Sequence, residues 1–198
     1  MTDIVTTFPS APPERIDLDG VALVRARASR AAASVEAINA SLDHLSPWMA
    51  WASVPATEAG MATFLTAAEE LWDNHQDFGY TIVDAADQVV LGGCGLHARL
   101  GTVGLEIGYW VHVDHIGRGI ATAASRALTD AAFEIDGIER VRITCEERNE
   151  RSARVPEKLG YLFQGVTVPD GGPCEGRPSQ VWIAERAAWV SGAGRSAP

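Results

Sequence analysis

The stretch Leu105-Glu-Ile-Gly-Tyr-Trp-Val-His-Val-Asp-His-Ile-Gly-Arg-Gly-Ile-Ala-Thr122 decides how this chain is read. It describes a strand that runs into a glycine-containing turn and then opens a helix. Such a junction collects free backbone N–H groups and the positive end of a helix dipole at one point, which makes an anion site. Gly117 and Gly119 allow close approach of a phosphate, and Ala121 and Thr122 leave the helix start uncluttered. The same Gly-x-Gly also serves as a plain tight turn. No Gly-Lys-Ser/Thr follows, so the turn is not a Walker loop. It also lacks a third glycine and follows an antiparallel-looking meander, against a Rossmann loop.

Downstream, Ile120, Ala124, Leu128, Ala131 and Ile135 line one side of a helix that Gly137 is expected to end. Upstream, strands are expected at Gly79–Asp84, Gln88–His97 and Val103–Val113, and a first strand at Val21–Arg27. Helices are read at Ser29–Leu42, with Ser29 as N-cap, and at Thr57–Trp72. After the central helix come a strand at Ile138–Cys145, a helix at Asn149–Leu159 closed by Gly160, a strand at Tyr161–Val168, a Pro169–Pro178 loop and a last strand at Gln180–Glu185. This order implies an α/β (α+β type) mixed sheet with helices on its faces. Thr6–Pro13 and Ser191–Pro198 are small, polar or proline-rich and are expected outside the core. The division expected is a tail at 1–15, one domain at 16–188 and a tail at 189–198.

The 198 residues include 16 Lys+Arg against 26 Asp+Glu, a formal charge of -10. That balance argues against a nucleic-acid or anionic-membrane partner, because both need a basic face. A cationic or amine partner fits it better. Cys94, Cys145 and Cys174 are widely spaced and support neither a zinc site nor a disulfide framework. His112, Asp114 and His115 lack a third distant ligand, so no metal is expected. No apolar run approaches a membrane span and no basic leader is evident, which points to the cytoplasm.

A second motif, Asn149-Glu-Arg-Ser-Ala-Arg-Val-Pro-Glu-Lys-Leu-Gly-Tyr161, follows the first by about thirty residues. In this order the two resemble the GNAT N-acyltransferases, most closely the RimJ/RimL-like branch that acetylates protein N-termini. The resemblance extends from Val21 to Glu185. It implies a mostly antiparallel twisted sheet of about seven strands, splayed between the fourth and fifth, with about four helices. It also implies acetyl-CoA as co-substrate. The family's Gln/Arg-x-x-Gly-x-Gly/Ala pattern falls on Ile116, Gly117, Arg118, Gly119, Ile120 and Ala121, with Ile116 replacing the polar first residue. With Thr122 these would hold the CoA pyrophosphate through backbone amides. Val111 and Val113 would contribute main-chain groups where Leu105–Val113 and Ile138–Cys145 part. Asn149 would bond the pantetheine arm, and Ser152 would sit near the thioester sulfur. Pro156, where Ala is usual, would kink the short helix.

Acyl transfer to an amine needs a neutral amine, a polarised carbonyl and a proton for the departing thiolate. Glu106, with a raised pKa, is the candidate base, and otherwise a solvated strand carboxylate. Ser152 is the candidate acid, and otherwise a helix-cap residue. Tyr109 and Tyr161 are further donors or packed aromatics, and Cys145 is a thiol near the thioester or a core residue. The resemblance implies an acceptor site between Leu42–Ala52 and Pro169–Pro178, where Asp43, His44, Trp48 and Trp51 stand out; the two tryptophans would hold an amine beside the acidic residue, or else only pack the helix junction. The activity implied is acetylation of a primary amine, foremost a protein or peptide N-terminus. A small-molecule acceptor, a CoA-binding module without turnover, and a homodimer stay open.

Overall fold

Where the pairing of the central sheet stops is what shapes this molecule. The computed structural model describes residues 6–172 and 174–192. Its strands are β1 (Arg15–Asp17), β2 (Val21–Arg25), β3 (Asp77–Asp84), β4 (Val90–His97), β5 (Gly104–Val111), β6 (Arg140–Glu146), β7 (Leu162–Thr167) and β8 (Ser179–Glu185). They form one open sheet in the order β1-β2-β3-β4-β5-β6-β8-β7. The helices are α1 (Ala31–Ala40), α2 (Leu42–Leu45), α3 (Glu58–Asp73), α4 (Ile120–Phe133), α5 (Glu150–Leu159) and α6 (Arg186–Val190).

Every neighbouring pair of strands is antiparallel except β5 and β6, which run parallel. That parallel ladder is short, from Gly104↔Arg140 to Ile107↔Ile143. Beyond it β5 stays on β4 as far as Gly92↔Val111, while β6 stays on β8 as far as Glu146↔Ser179. The two strands therefore part in the middle of the sheet, as the resemblance implied.

The parallel segment is anchored by apolar side chains. Leu105, Ile107, Val141 and Ile143 are buried against Ala124, Leu128 and Ala132 of α4. Each fully buried Leu or Ile contributes about 1.5–3 kcal/mol. The helical spacing of the α4 residues matches the period read from the sequence, but α4 ends at Phe133, before Gly137. Tight turns from Glu134 to Ala131 and from Ile135 to Ala132 finish it, and Ile135 remains in the core.

Thr57 caps α3, accepting the Gly60 N–H at 3.2 Å. Ser29 does not cap α1, because it lies in the 3-10 turn Ala28–Arg30 that precedes the helix. Among the described residues the eight strands and six α-helices exceed the seven and four implied. The additions are short: β1 is a three-residue strand with one apolar side chain, and α2 and α6 are of four and five residues.

Both expected tails are corrected in part. Phe8 is 5% exposed, stacks at 5.9 Å on Phe78 and donates its N–H to the His75 carbonyl, while the Tyr80 hydroxyl binds the Pro13 carbonyl at 2.7 Å. Trp189 on α6 is 6% exposed and donates Nε1–H to Asp130 at 2.7 Å. One aromatic anchor is enough to draw a polar segment onto the core. Residues 1–5 and 193–198 of the expected tails lie outside the described residues. Among the described residues no helix is long and apolar enough to cross a membrane.

Candidate functional site

Two cavities meet where β5 and β6 part. One, of about 840 Å³, reaches from the gap to the start of α4. The other, of about 610 Å³, lies on the Pro169–Pro178 side. Trp48, Met49, Tyr109, Asn149 and Ser152 line both.

The far end of the first cavity is an anion site made of main chain. Gly117 and Gly119 have φ of 75° and 78°, the left-handed region that side chains rarely adopt. The first turn of α4 carries no side-chain cap and no acidic residue, and its first helical bond runs from Ala123 to Gly119 at 2.9 Å. The N–H groups of Ile120, Ala121 and Thr122 thus have no intrahelical acceptor, and all three residues line the cavity. Ile116 lines it too and packs on the core, so its side chain offers apolar contact only. Arg118 is turned out to solvent, donating from Nη1 to His115 Nδ1 at 2.8 Å, and does not line the cavity.

Opposite these amides stand Arg148, Arg151, Arg154 and Lys158, in and just before α5. The sequence reading missed them, although steps of three, three and four residues place them on one helical face. An anion meets a local cationic wall here despite the overall charge of -10.

In the gap, the His112 N–H bonds the Leu91 carbonyl at 2.8 Å on the β4 side. Successive N–H groups of a strand alternate in direction, so that of Val111 points to the opened side. Val113 differs from expectation. The chain has entered the 3-10 turn Val113–His115, its N–H is taken by the buried Ser41 Oγ at 3.0 Å, and it does not line the cavity.

At the junction, Asn149 caps α5 with Oδ1, accepting the Ser152 N–H at 3.1 Å, which leaves Nδ2 for a ligand. Pro156 does not interrupt the helix. It has no N–H for the Ser152 carbonyl four residues earlier. The Tyr109 hydroxyl donates to that carbonyl instead, at 3.1 Å, and lies 2.9 Å from Ser152 Oγ. Burial pushes the Tyr109 phenol well above its ordinary value, with Ser152 opposing the shift only in part. The Cys145 thiol is pushed up to about 11 by burial, so it stays a neutral thiol. Tyr161 is a core aromatic, its hydroxyl 2.6 Å from Thr129 Oγ.

On the acceptor side Glu106 is corrected. Its carboxylate is 8% exposed and takes Arg99 Nη1 on Oε1 at 2.6 Å, and Arg142 Nε and the Thr144 hydroxyl on Oε2 at 2.6 and 3.0 Å. Burial alone would raise its pKa, but the two guanidiniums outweigh burial and hold it below the ordinary carboxylate value. With both oxygens engaged, Glu106 is an anion in a cationic setting. Glu146 is built alike, bound by Arg148 at 2.7 Å and Arg177 at 2.8 Å, and Arg177 also ties down the carbonyls of Pro47 and Trp48. Of the four expected acceptor residues, Trp48 lines both cavities and His44 the first only. His44 is lowered by burial and by Arg151. Asp43 is exposed and lines neither cavity, and Trp51, 46% exposed, sits edge-on to Trp110 at 6.4 Å.

A family model described as the acetyltransferase (GNAT) domain matches residues 22–162. The chain belongs to the GNAT acetyltransferase family. It is 47% identical over 60 residues to YdaF from Bacillus subtilis (strain 168), which carries the name of a ribosomal N-acetyltransferase; the match covers 30% of this chain and 33% of YdaF. With YjcK of the same organism, named an N-acetyltransferase, it shares 30% identity over 112 residues, 56% of this chain and 62% of YjcK. The chain thus spans less than two thirds of either curated relative. The Mycobacterium smegmatis RimJ structure in complex with CoA-disulfide has the same fold, with a TM-score of 0.70 at 23% identity, over 94% of this chain and 96% of that one.

Proposed function

We propose that this GNAT protein transfers the acetyl group of acetyl-CoA to a primary amine, with a protein or peptide N-terminus as acceptor. The observation that carries the reading is the meeting of two cavities at the Tyr109–Ser152 pair, one ending in uncapped helix amides and the other open to a second substrate. The complex of Mycobacterium smegmatis RimJ with CoA-disulfide supports CoA as the occupant of the first cavity, and the name of YdaF supports a ribosomal N-terminus as acceptor.

The groups present fit the donor. Acetyl-CoA supplies the acetyl group as a thioester. The N–H groups of Ile120, Ala121 and Thr122 would hold its pyrophosphate, with Arg151, Arg154 and Lys158 as counter-charges and Asn149 Nδ2 and Val111 bonding the arm. The Val111 N–H, which points to the opened side, would face the thioester oxygen as charge develops there. The neutral amine would attack the thioester carbonyl and the C–S bond would break; Ser152 Oγ would pass its proton to the sulfur and regain one from the Tyr109 hydroxyl, turned from the Ser152 carbonyl to Oγ, and solvent would then reprotonate Tyr109. Because burial raises Tyr109, the phenol keeps its proton for this step throughout the neutral range.

Glu106, an anion held between two guanidiniums, is proposed as the group that positions Arg99 and Arg142 rather than as the base. An α-amino group has an ordinary pKa of about 7.7–8.0, so a useful fraction is neutral near pH 7.5, and solvent in the open acceptor cavity takes the proton that leaves. Measuring thiol release with acetyl-CoA and a panel of N-terminal peptides and small amines tests the reading. Acetylated peptide is expected, and tight CoA binding with no acetylated product on any acceptor would replace the enzyme with a CoA-binding module.

A further inference from the structure

The acceptor cavity sets two arginines around one buried carboxylate. Arg99 and Arg142 line it, with side chains 33% and 26% exposed. Each guanidinium spends one N–H on Glu106, and among the described residues neither guanidinium bonds any other group. A guanidinium carries five donors in a planar fork. Glu106 accepts three bonds, one on Oε1 and two on Oε2, and so cannot take up the donors that the two forks have left. Two cations on one carboxylate leave an excess positive charge. Glu146 brings no compensation, being bound by two further arginines, and Asp170 of the loop is the remaining carboxylate on the wall.

Both guanidiniums are fixed in place. Arg142 is the register partner of Glu106 across the last stretch of the β5–β6 ladder, and Arg99 packs beneath Gly172, where an added Cβ would lie 3.4 Å from its guanidinium. A half-buried, immobile pair with unspent donors is a built receptor for a carboxylate, and a like-charged acceptor group there is penalised. The site is also displaced from the reaction. Glu106 lies three residues before Tyr109 on β5, so their Cα atoms are about 10 Å apart at ~3.3 Å per residue and their side chains leave opposite faces of the sheet. A carboxylate on the carbon that bears the amine does not span this distance, whereas an acidic side chain one or two residues further along an extended peptide does.

We propose that Arg99 and Arg142 select peptide N-termini with an acidic side chain at the second or third position. This selection rests on the acetyl-transfer reading of the same site. Hexapeptides that differ only by Asp, Asn or Lys at those positions test it, with kcat and KM measured with acetyl-CoA and the peptide Kd measured with CoA bound. The Asp peptides are expected to exceed the Asn peptides by about tenfold or more in kcat/KM, carried by KM, and the Lys peptides to be poorest. Free aspartate is expected to be a poor acceptor. Arg99→Gln, which leaves Glu106 paired with Arg142, should bring the Asp/Asn ratio toward one, as should Arg142→Gln, and Arg99→Glu should turn the preference toward Lys. Equal kcat/KM for Asp and Asn peptides in the wild type, or a ratio unmoved in both glutamine variants, overturns the proposal. Acetylation without acid preference removes this inference alone. Acid-selective peptide binding without acetylation upholds it and removes the transferase reading.

Discussion

The donor cavity presents main-chain N–H groups at the start of α4, whereas the acceptor cavity presents arginine side chains paired to buried carboxylates. On the proposed acetyl-transfer reading, main-chain donors would recognise what every acyl-CoA shares, and they need only a backbone path that glycine permits. Side-chain donors recognise what distinguishes one acceptor from another, and they depend on strands brought together from distant parts of the chain. The two cavities should therefore respond to substitution independently, with only their junction touching both.

The largest effect is expected at that junction. Tyr109→Phe should lower kcat by about 100-fold, within the usual range for loss of a positioned proton donor, while KM for both substrates changes little. A parallel rise in KM for CoA would show that Tyr109 belongs to the donor cavity instead. Next in size, Gly119→Ala meets no atom within 4 Å and so tests backbone conformation alone. Holding a side chain in the left-handed region costs about 1–2 kcal/mol, so CoA should bind about 5- to 30-fold more weakly by calorimetry, with the order of acceptor preference unchanged. A change in that order would break the division between the cavities.

Pro156→Ala restores the N–H that the Ser152 carbonyl lacks and competes with Tyr109 for it. A kcat lowered about threefold with both KM values kept is expected, the scale of one neutral hydrogen bond. Glu106→Gln should have the smallest kinetic consequence for pH dependence. The neutral amine is the reactive form, so kcat/KM should rise with pH through the acceptor amine's own pKa, and this limb should persist in the variant. Its disappearance would restore Glu106 as the base. The folded-state pKa of Glu106 is depressed, so its contribution to stability is present above the ordinary carboxylate pKa and is lost as pH falls through the folded value. Thermal melts below about pH 4 should therefore destabilise the wild type more than Glu106→Gln.

The donor half was legible because its chemistry is local. Gly117 and Gly119 sit in one contiguous strand-turn-helix motif whose uncapped helix start could be read directly, while the roles expected of Asn149 and Ser152 and the parting of β5 and β6 came with the family resemblance. The acceptor half was not. Nothing in the chain near Glu106 announces that a parallel strand some 35 residues on will place Arg142 beside it, and this is why its pKa moves down where a rise was expected. Asp43 and Trp51 were chosen as polar and aromatic residues in the right segment, but Asp43 is exposed on α2 and Trp51, in the 3-10 turn Ala50–Ser53, sits against Trp110, so neither lines a cavity. Phe8 and Trp189 were lost for a similar reason, since a lone aromatic in a small, polar segment has no periodicity to reveal it. The cations at 148, 151, 154 and 158 had a helical spacing that could have been read.

The missing N–H at Pro156 also has a mechanical side. Within an ordinary helix each carbonyl is satisfied by the helix itself, so its rotational setting against a sheet is decided by packing alone. In α5 one rung is completed from β5, and a slip of one residue would turn the helix by about 100° and carry the Ser152 carbonyl out of reach of Tyr109. The same turn would swing Arg151, Arg154 and Lys158 off the donor cavity. A proline inside the helix thus acts as an indexing pin, fixing which face of α5 the donor meets.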